Sequence, residues 1–323
     1  VIRHEIAIRN RGRTLVAIDG FRVPESEITF LLGESGIGKS MLAKAVYGLL
    51  DPEEFAVTID SAEYRAYCAA ESVKALQKNS FFVFQEPSSH LNPLMKIDDQ
   101  LNEGSLAHGS EDADILRYLW QTTNPDDIRH ILDIYPRPYR PSGGEKQRVL
   151  LAMAFRKIQA LKNAGDTART FFVFDEPTGN LDNHYRNLFL RLLFQKYQQQ
   201  PFTALIITHD YSIISELYRS HAPLLPRIHF SELVRDGASE QHRRVTLRDF
   251  SAQRYLSWLA GQRPDPIGEG ARDAVLRVEP RFSVFGRHRR IYRDVRANAG
   301  APLCIHRGEM AYLKAGSGVG KTT

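Results

Sequence analysis

The chain has 323 residues, enough for one large domain or two ordinary ones, and its 42% hydrophobic and 25% charged content is that of a globular protein with a sizeable core. The formal net charge of +5 permits an anionic partner without demanding one. No apolar run approaches the roughly 20 residues that span a bilayer, no secretory signal opens the chain, and the two cysteines, Cys68 and Cys304, lie far apart without a metal-ligand pattern and read as ordinary buried thiols.

In chain order, residues 1–32 read as short strands with a turn at 10–13, the last strand being the apolar run 28–32. That run leads into Gly33, Glu34, Ser35, Gly36, Ile37, Gly38, Lys39 and Ser40, which fit G-x-x-x-x-G-K-[ST]. Met41 then opens a helical pattern with Leu42, Val46, Leu49 and Leu50 on one side. Strand, glycine loop and helix are the context in which backbone N–H groups converge on a phosphate, with the lysine reaching the β- and γ-phosphates and the hydroxyl ligating Mg²⁺.

Residues 51–79 give mixed signals, strand and then helix, followed by an apolar strand over 80–84 that ends at Gln85 and a loop over 86–93. From 94 to 139 the pattern is helical and polar, broken by Pro125, Pro136 and Pro138, and reads as an inserted helical subdomain. A helix begins after Ser142, Gly143 and Gly144, and its small-residue tip forms a second anion-binding N-terminus, or else a simple cap. Two further buried strands, over 171–174 and 204–207, close on Asp175 with Glu176 and on Thr208 with His209. Four apolar strands thus each deliver a polar group at the carboxyl end, where an open parallel α/β sheet holds its ligand.

Taken together, these motifs resemble the ATP-binding cassette of ABC proteins over residues 1 to about 235. Residues 33–40 resemble the Walker A loop, Gln85 the Q-loop, 142–148 the family signature, 171–176 Walker B, 179–182 the D-loop, and His209 the switch histidine. The resemblance implies an α/β fold: a P-loop NTPase (RecA-like) core with a parallel sheet, an antiparallel β N-terminal part and an inserted α-helical signature subdomain. It implies ATP and Mg²⁺ as cofactors. Lys39, Ser40, Gln85 and Asp175 would handle phosphate and magnesium, Glu176 would activate water, and His209 would contact the γ-phosphate. Ser142, Gly143 and Gly144 would act on the nucleotide of a facing cassette, with Asp182 of the D-loop beside them.

The pattern departs from the family at Pro141, where Leu is usual, and at Glu145, where Gln is common. The stretch 156–169 is long, and 9–13 lacks the aromatic residue that often stacks adenine. Residues 84–93 resemble the Q-loop of dipeptide, oligopeptide and nickel importers, whereas 175–182 are closer to lipoprotein and macrolide export ATPases.

Near the C-terminus a second loop repeats the first at one offset. Glu309 stands for Glu27, Tyr312 for Phe30, Gly318 for Gly36, Gly320 for Gly38, Lys321 for Lys39 and Thr322 for Ser40, while Ala315 replaces Gly33. The expected organisation is a first cassette over 1–260 with its helical subdomain at about 90–155, a linker at 261–272, and the start of a second cassette over 273–323, with Phe285 a candidate adenine platform. The chain opens on Val1 and stops at Thr323 inside a motif, which reads as a fragment.

The implied function is the ATP-hydrolysing subunit that energises an ABC transporter for peptides, nickel or a similar small solute. Its partners would be a second cassette, in the same chain or a homodimer, and transmembrane permease subunits, with no nucleic acid. It would lie in the cytoplasm, peripheral at the inner face of the plasma membrane. The alternative is a soluble tandem ATPase that remodels a ribosome, a nucleic acid or an enzyme assembly.

Overall fold

The computed structural model describes residues 2–103, 110–124, 126–135, 141–164, 170–179, 183–236, 244–262, 274–279, 281–285, 291–296 and 302–306. The chain divides into two compact units, Val1–Ala260 and Gly261–Thr323.

The first unit opens with a hairpin of β1 (Ile2–Asn10) and β2 (Arg13–Val23), strands of 9 and 11 residues rather than the short ones expected. Its two-residue turn places Arg11 and Gly12 at φ 47° and 77°, the left-handed pair whose twist suits a tight antiparallel turn. The ladder slips between His4 and Glu5, opposite Gly20 at φ 133°, so one bulge lets the strand run on past a glycine. With β4 (Ala56–Ile59) and β5 (Ala62–Glu63) the hairpin forms a four-stranded antiparallel sheet in the order β2-β1-β4-β5.

The second sheet carries the loops of interest. It includes β3 (Ile28–Leu32), β6 (Phe81–Val83), β7 (Phe172–Asp175), β8 (Ala204–Ile207), β9 (Ile228–Arg235) and β10 (Val245–Asp249), in the order β10-β9-β3-β8-β7-β6. Every pairing is parallel except β10 with β9. All residues of β3, β7 and β8 are buried because the sheet is covered on both faces. Phe30, Leu32, Phe172, Phe174 and Ile206 join one apolar cluster, while Leu31, Phe171, Val173, Leu205 and Ile207 join the other. The continuous apolar runs in the sequence are therefore two alternating faces, each with its own core.

Helix α1 (Lys39–Tyr47) buries Leu42 and Val46, but ends on Gly48 at φ 80°, so Leu49 lies beyond the cap and is 40% exposed, contrary to expectation. Residues 51–79 supply β4, β5, α2 (Tyr64–Ala69) and α3 (Glu71–Asn79). The helical stretch contains α4 (Ile97–Glu103), α5 (Ser110–Trp120) and α6 (Asp126–Leu132); Pro125, Pro136 and Pro138 lie outside the described residues.

Helix α7 (Gly143–Ala164) has 22 residues and absorbs most of the long stretch that followed it in sequence; Arg156, Ile158 and Leu161 are buried in it. It is followed by α8 (Asn183–Gln199), α9 (Ser212–Ser220) and α10 (Ala252–Gly261). Both cysteines are free and partly exposed, not buried as expected.

The second unit contains β11 (Ala274–Val278) paired antiparallel with β14 (Leu303–His306), and β12 (Arg281–Phe285) paired antiparallel with β13 (Ile291–Arg296). The repeated loop with Gly318, Gly320, Lys321 and Thr322 lies outside the described residues, as does Asp182 in the first unit. Among the described residues no helix is long and apolar enough to cross a membrane.

Candidate functional site

Adjacent parallel strands β3, β8, β7 and β6 bring their carboxyl ends to one edge of the sheet. The loop after β3 turns on glycines at positions that only glycine serves. At Gly33, φ is 139° and a Cβ would lie 2.7 Å from the Leu233 carbonyl oxygen. At Gly38, φ is 112° and a Cβ would lie 3.0 Å from the Val16 side chain. Among the described residues no side chain caps the start of α1, so the amides of its first turn are open to another acceptor. Glu34, Ser35 and Gly36 are exposed on this turn, while Ile37 anchors it in the core.

Lys39 is buried and folds back on its own loop, donating Nζ to the carbonyls of Gly33 at 2.7 Å and Glu34 at 2.9 Å. Burial pushes its pKa down, against the opposing pull of the Glu176 and Asp175 carboxylates. Ser40 donates its hydroxyl to Asp175 Oδ1 at 2.8 Å. Burial holds the Asp175 carboxyl above its ordinary range despite that bond and the nearby Lys44 and Lys39 charges. Two hard oxygen donors from β7 and α1 thus meet beside the lysine, a donor set suited to Mg²⁺.

The next residue, Glu176, is nearly buried and sits at φ 46°, a left-handed conformation rare for a side chain of this size. Its amide donates to the Ile207 carbonyl at 3.0 Å, which ties β7 to β8 at the strand ends. Its carboxylate oxygen Oε1 lies 2.7 Å from Nδ1 of His209, whose ring is largely exposed. Lys39, Ser40, Asp175, Glu176 and His209 therefore form one connected cluster. Gln85 follows β6 at the same edge and is exposed, and no described hydrogen bond ties it to Ser40 or Asp175.

Ser142, Gly143 and Gly144 start α7 and are not hydrogen-bonded to that cluster among the described residues. Ser142 and Glu145 form a reciprocal cap: the Ser142 amide donates to Glu145 Oε2 at 2.7 Å, and the Glu145 amide donates to Ser142 Oγ at 3.2 Å. The tip is thus both a capped helix start and an exposed glycine-led terminus.

Contacts of three residues had no signal in the sequence. Lys146 is buried and donates to Ser88 Oγ at 2.9 Å, linking α7 to the loop that follows Gln85. Arg148 stacks on Trp120 and Tyr185, and Arg186 pairs with Asp210 at 3.0 Å. Only the position of Lys146 and Arg148 within the string 142–148 hinted at a role. A separate cavity of ≈ 270 Å³, lined by residues including Arg9, Phe55 and Tyr64, lies on the antiparallel sheet.

Residues 19–179 match the family model described as ABC transporter, and the chain belongs to that family, with the P-loop NTPase α/β fold. It is similar to the peptidoglycan transport ATP-binding protein YejF of Agrobacterium fabrum strain C58, 27% identical over 98% of this chain and 58% of the relative. It is also similar to the oligopeptide transport ATP-binding protein OppD of Lactococcus lactis subsp. cremoris strain SK11, 30% identical over 59% of this chain and 55% of the relative. The chain thus spans between half and three fifths of the length of these curated relatives. Among solved structures, an archaeal ribosome recycling factor in complex with a ribosomal stalk protein aligns over 98% of this chain and 58% of its own, with a TM-score of 0.63 and 17% identity, a likeness of fold alone.

Proposed function

We propose that this chain is the ATP-binding and ATP-hydrolysing part of an ABC transporter for the uptake of peptides or a similar small solute. The single observation that carries the chemistry is the continuous cluster of Lys39, Ser40, Asp175, Glu176 and His209 at the ends of adjacent strands. The relatives' printed names, which speak of peptidoglycan and oligopeptide transport, support the cargo class.

The residues fit a nucleoside triphosphate. A loop turned by three glycines at positive φ, two of which (Gly33 and Gly38) a Cβ would crowd, with helix amides that no described side chain caps, can wrap a phosphate, and Lys39 exchanges two carbonyl acceptors for phosphate oxygens. Ser40 and Asp175 would hold Mg²⁺, with Gln85 from the neighbouring strand end. That ion supplies charge neutralisation on the phosphates. Glu176 takes a proton from the attacking water, its Oε1 contact with His209 Nδ1 fixes the carboxylate, and the exposed ring is left to meet the transferred phosphoryl. Ser142, Gly143 and Gly144 complete the pocket of a facing cassette, the second copy or another chain. The membrane path belongs to separate permease subunits, with this protein peripheral at the inner face of the membrane.

The test uses the full-length protein. Glu176→Gln is expected to bind ATP as the wild type does and to lose turnover by about 10²-fold or more. Unchanged hydrolysis overturns the assignment. Copurification with membrane-spanning subunits is expected, and ATPase stimulation by RNA or a soluble complex, without a permease, rejects the transporter reading.

A further inference from the structure

Arg148 lies in the second turn of α7, with its guanidinium carbon 4.7 Å from the ring centre of Trp120 and 4.4 Å from that of Tyr185. Trp120 ends α5 and Tyr185 is in the first turn of α8, so one cation joins three helices. The residue after Tyr185, Arg186, is buried and donates Nη1 to Asp210 at 3.0 Å and to the Ser212 hydroxyl at 2.6 Å. Asp210 directly follows His209. Adjacent residues of α8 therefore grip the helix led by Ser142 on one side and the His209 loop on the other.

The two grips differ in kind. Arg186 is anchored by directional, charge-assisted bonds, which resist displacement. Arg148 is held by ring faces: its only described hydrogen bond, Nη1 to the Leu119 carbonyl, is long at 3.5 Å, and its buried Nε has no partner among the described residues. Trp120 Nε1 and both amide atoms of the fully buried Gln147, the residue before Arg148, also have no hydrogen-bond partner among the described residues. Such orphans are costly and call for a reason. A seat from which α7 shifts supplies one, since ring faces let a guanidinium slide where a saturated fork would hold it.

We propose that Tyr185 and Arg186 are positioning residues that make the placement of His209 depend on the placement of the Ser142 helix tip, with Arg148 and Asp210 as the outer members of the relay. The engagement of one cassette's tip by the facing nucleotide is thereby reported to the histidine of the same cassette. The relay rests on the nucleotide reading above.

The test is a double-mutant cycle on the full-length protein. Arg148→Lys keeps the charge and removes the planar stack, and Asp210→Asn keeps the shape and removes the charge. Each is expected to lower kcat by about tenfold with ATP affinity held within about twofold, and the double variant is expected to fall no further than the slower single one. A product of the two losses, near a hundredfold, means two local effects and overturns the relay. So does an unchanged kcat in either single variant, or a loss confined to ATP affinity.

A second readout uses the emission of Trp120 in a background where every other tryptophan, Trp258 included, is replaced by Phe. ATP is expected to shift it, and Asp210→Asn is expected to diminish that shift. A shift unaffected by Asp210→Asn also overturns the relay. If Arg148→Lys does not fold, Tyr185→Leu takes its place in the cycle. A wild type that fails to bind ATP defeats the nucleotide reading itself and the relay with it, whereas normal wild-type turnover with multiplicative losses defeats the relay alone.

Discussion

Gly33 shows most directly how one residue's geometry decides chemistry. Its φ of 139° and the Leu233 carbonyl 2.7 Å from any added Cβ leave an alanine no conformation that keeps the loop as it is. Gly33→Ala is expected to destabilise the protein by about 1–3 kcal/mol and to weaken ATP binding by about tenfold or more, both measurable by melting with and without nucleotide. Wild-type values for both would show that the loop tolerates a side chain. Glu176 is the converse case. An acidic pair at a strand end was legible in sequence, but its φ of 46° was not, because left-handed backbone in a glutamate follows from the Ile207 and His209 contacts and not from local preference.

At the scale of the element, α7 begins with two demands on the same groups. Glu145 accepts the Ser142 amide at 2.7 Å, which stabilises the helix start but places a carboxylate where an anion would approach. Glu145→Gln preserves the reciprocal cap and removes the charge. It is expected to leave the melting temperature within about 2 °C and to strengthen ATP-driven pairing of cassettes by a few fold, read by size-exclusion chromatography in the Glu176→Gln background. Weaker pairing would show that the carboxylate assists.

Helix α9 supplies a pH test. Burial pushes the Glu216 carboxyl up, but the Ser220 hydroxyl at 2.7 Å and the Arg219 guanidinium outweigh it and hold the pKa below its ordinary value. A depressed folded pKa means that the ionised carboxylate contributes stability above the unfolded value, and that the contribution is lost as pH falls through the folded one. Glu216→Gln is expected to cost about 1 kcal/mol at pH 7, with the gap closing below about pH 4; a gap independent of pH contradicts the assignment. The α7 helix itself was visible from its apolar stripe, but its length was not: residues 156–164 read as a connection because their polar members hid the buried Ile158 and Leu161.

At the scale of the whole molecule, the strand ends that build the site were legible because β3, β7 and β8 are buried on both faces and so read as unbroken apolar runs. Their spatial order, with β8 between β3 and β7, was not, since adjacency of strands far apart in sequence is set by packing of the crossover helices. The same geometry bears on the repeated loop, where Ala315 stands at the position of Gly33. If the second loop is to wrap a phosphate as the first does, it must do so with a Cβ that in the first loop would lie 2.7 Å from a carbonyl oxygen. The two halves are therefore expected to be unequal. Lys39→Ala should abolish turnover in the full-length protein, while Lys321→Ala should lower it by only about tenfold, through the facing Ser142 tip, and Ala315→Gly should tighten ATP binding at the second site, measured by equilibrium binding. Equal losses from the two lysine substitutions would show that alanine is accommodated and that both loops work alike.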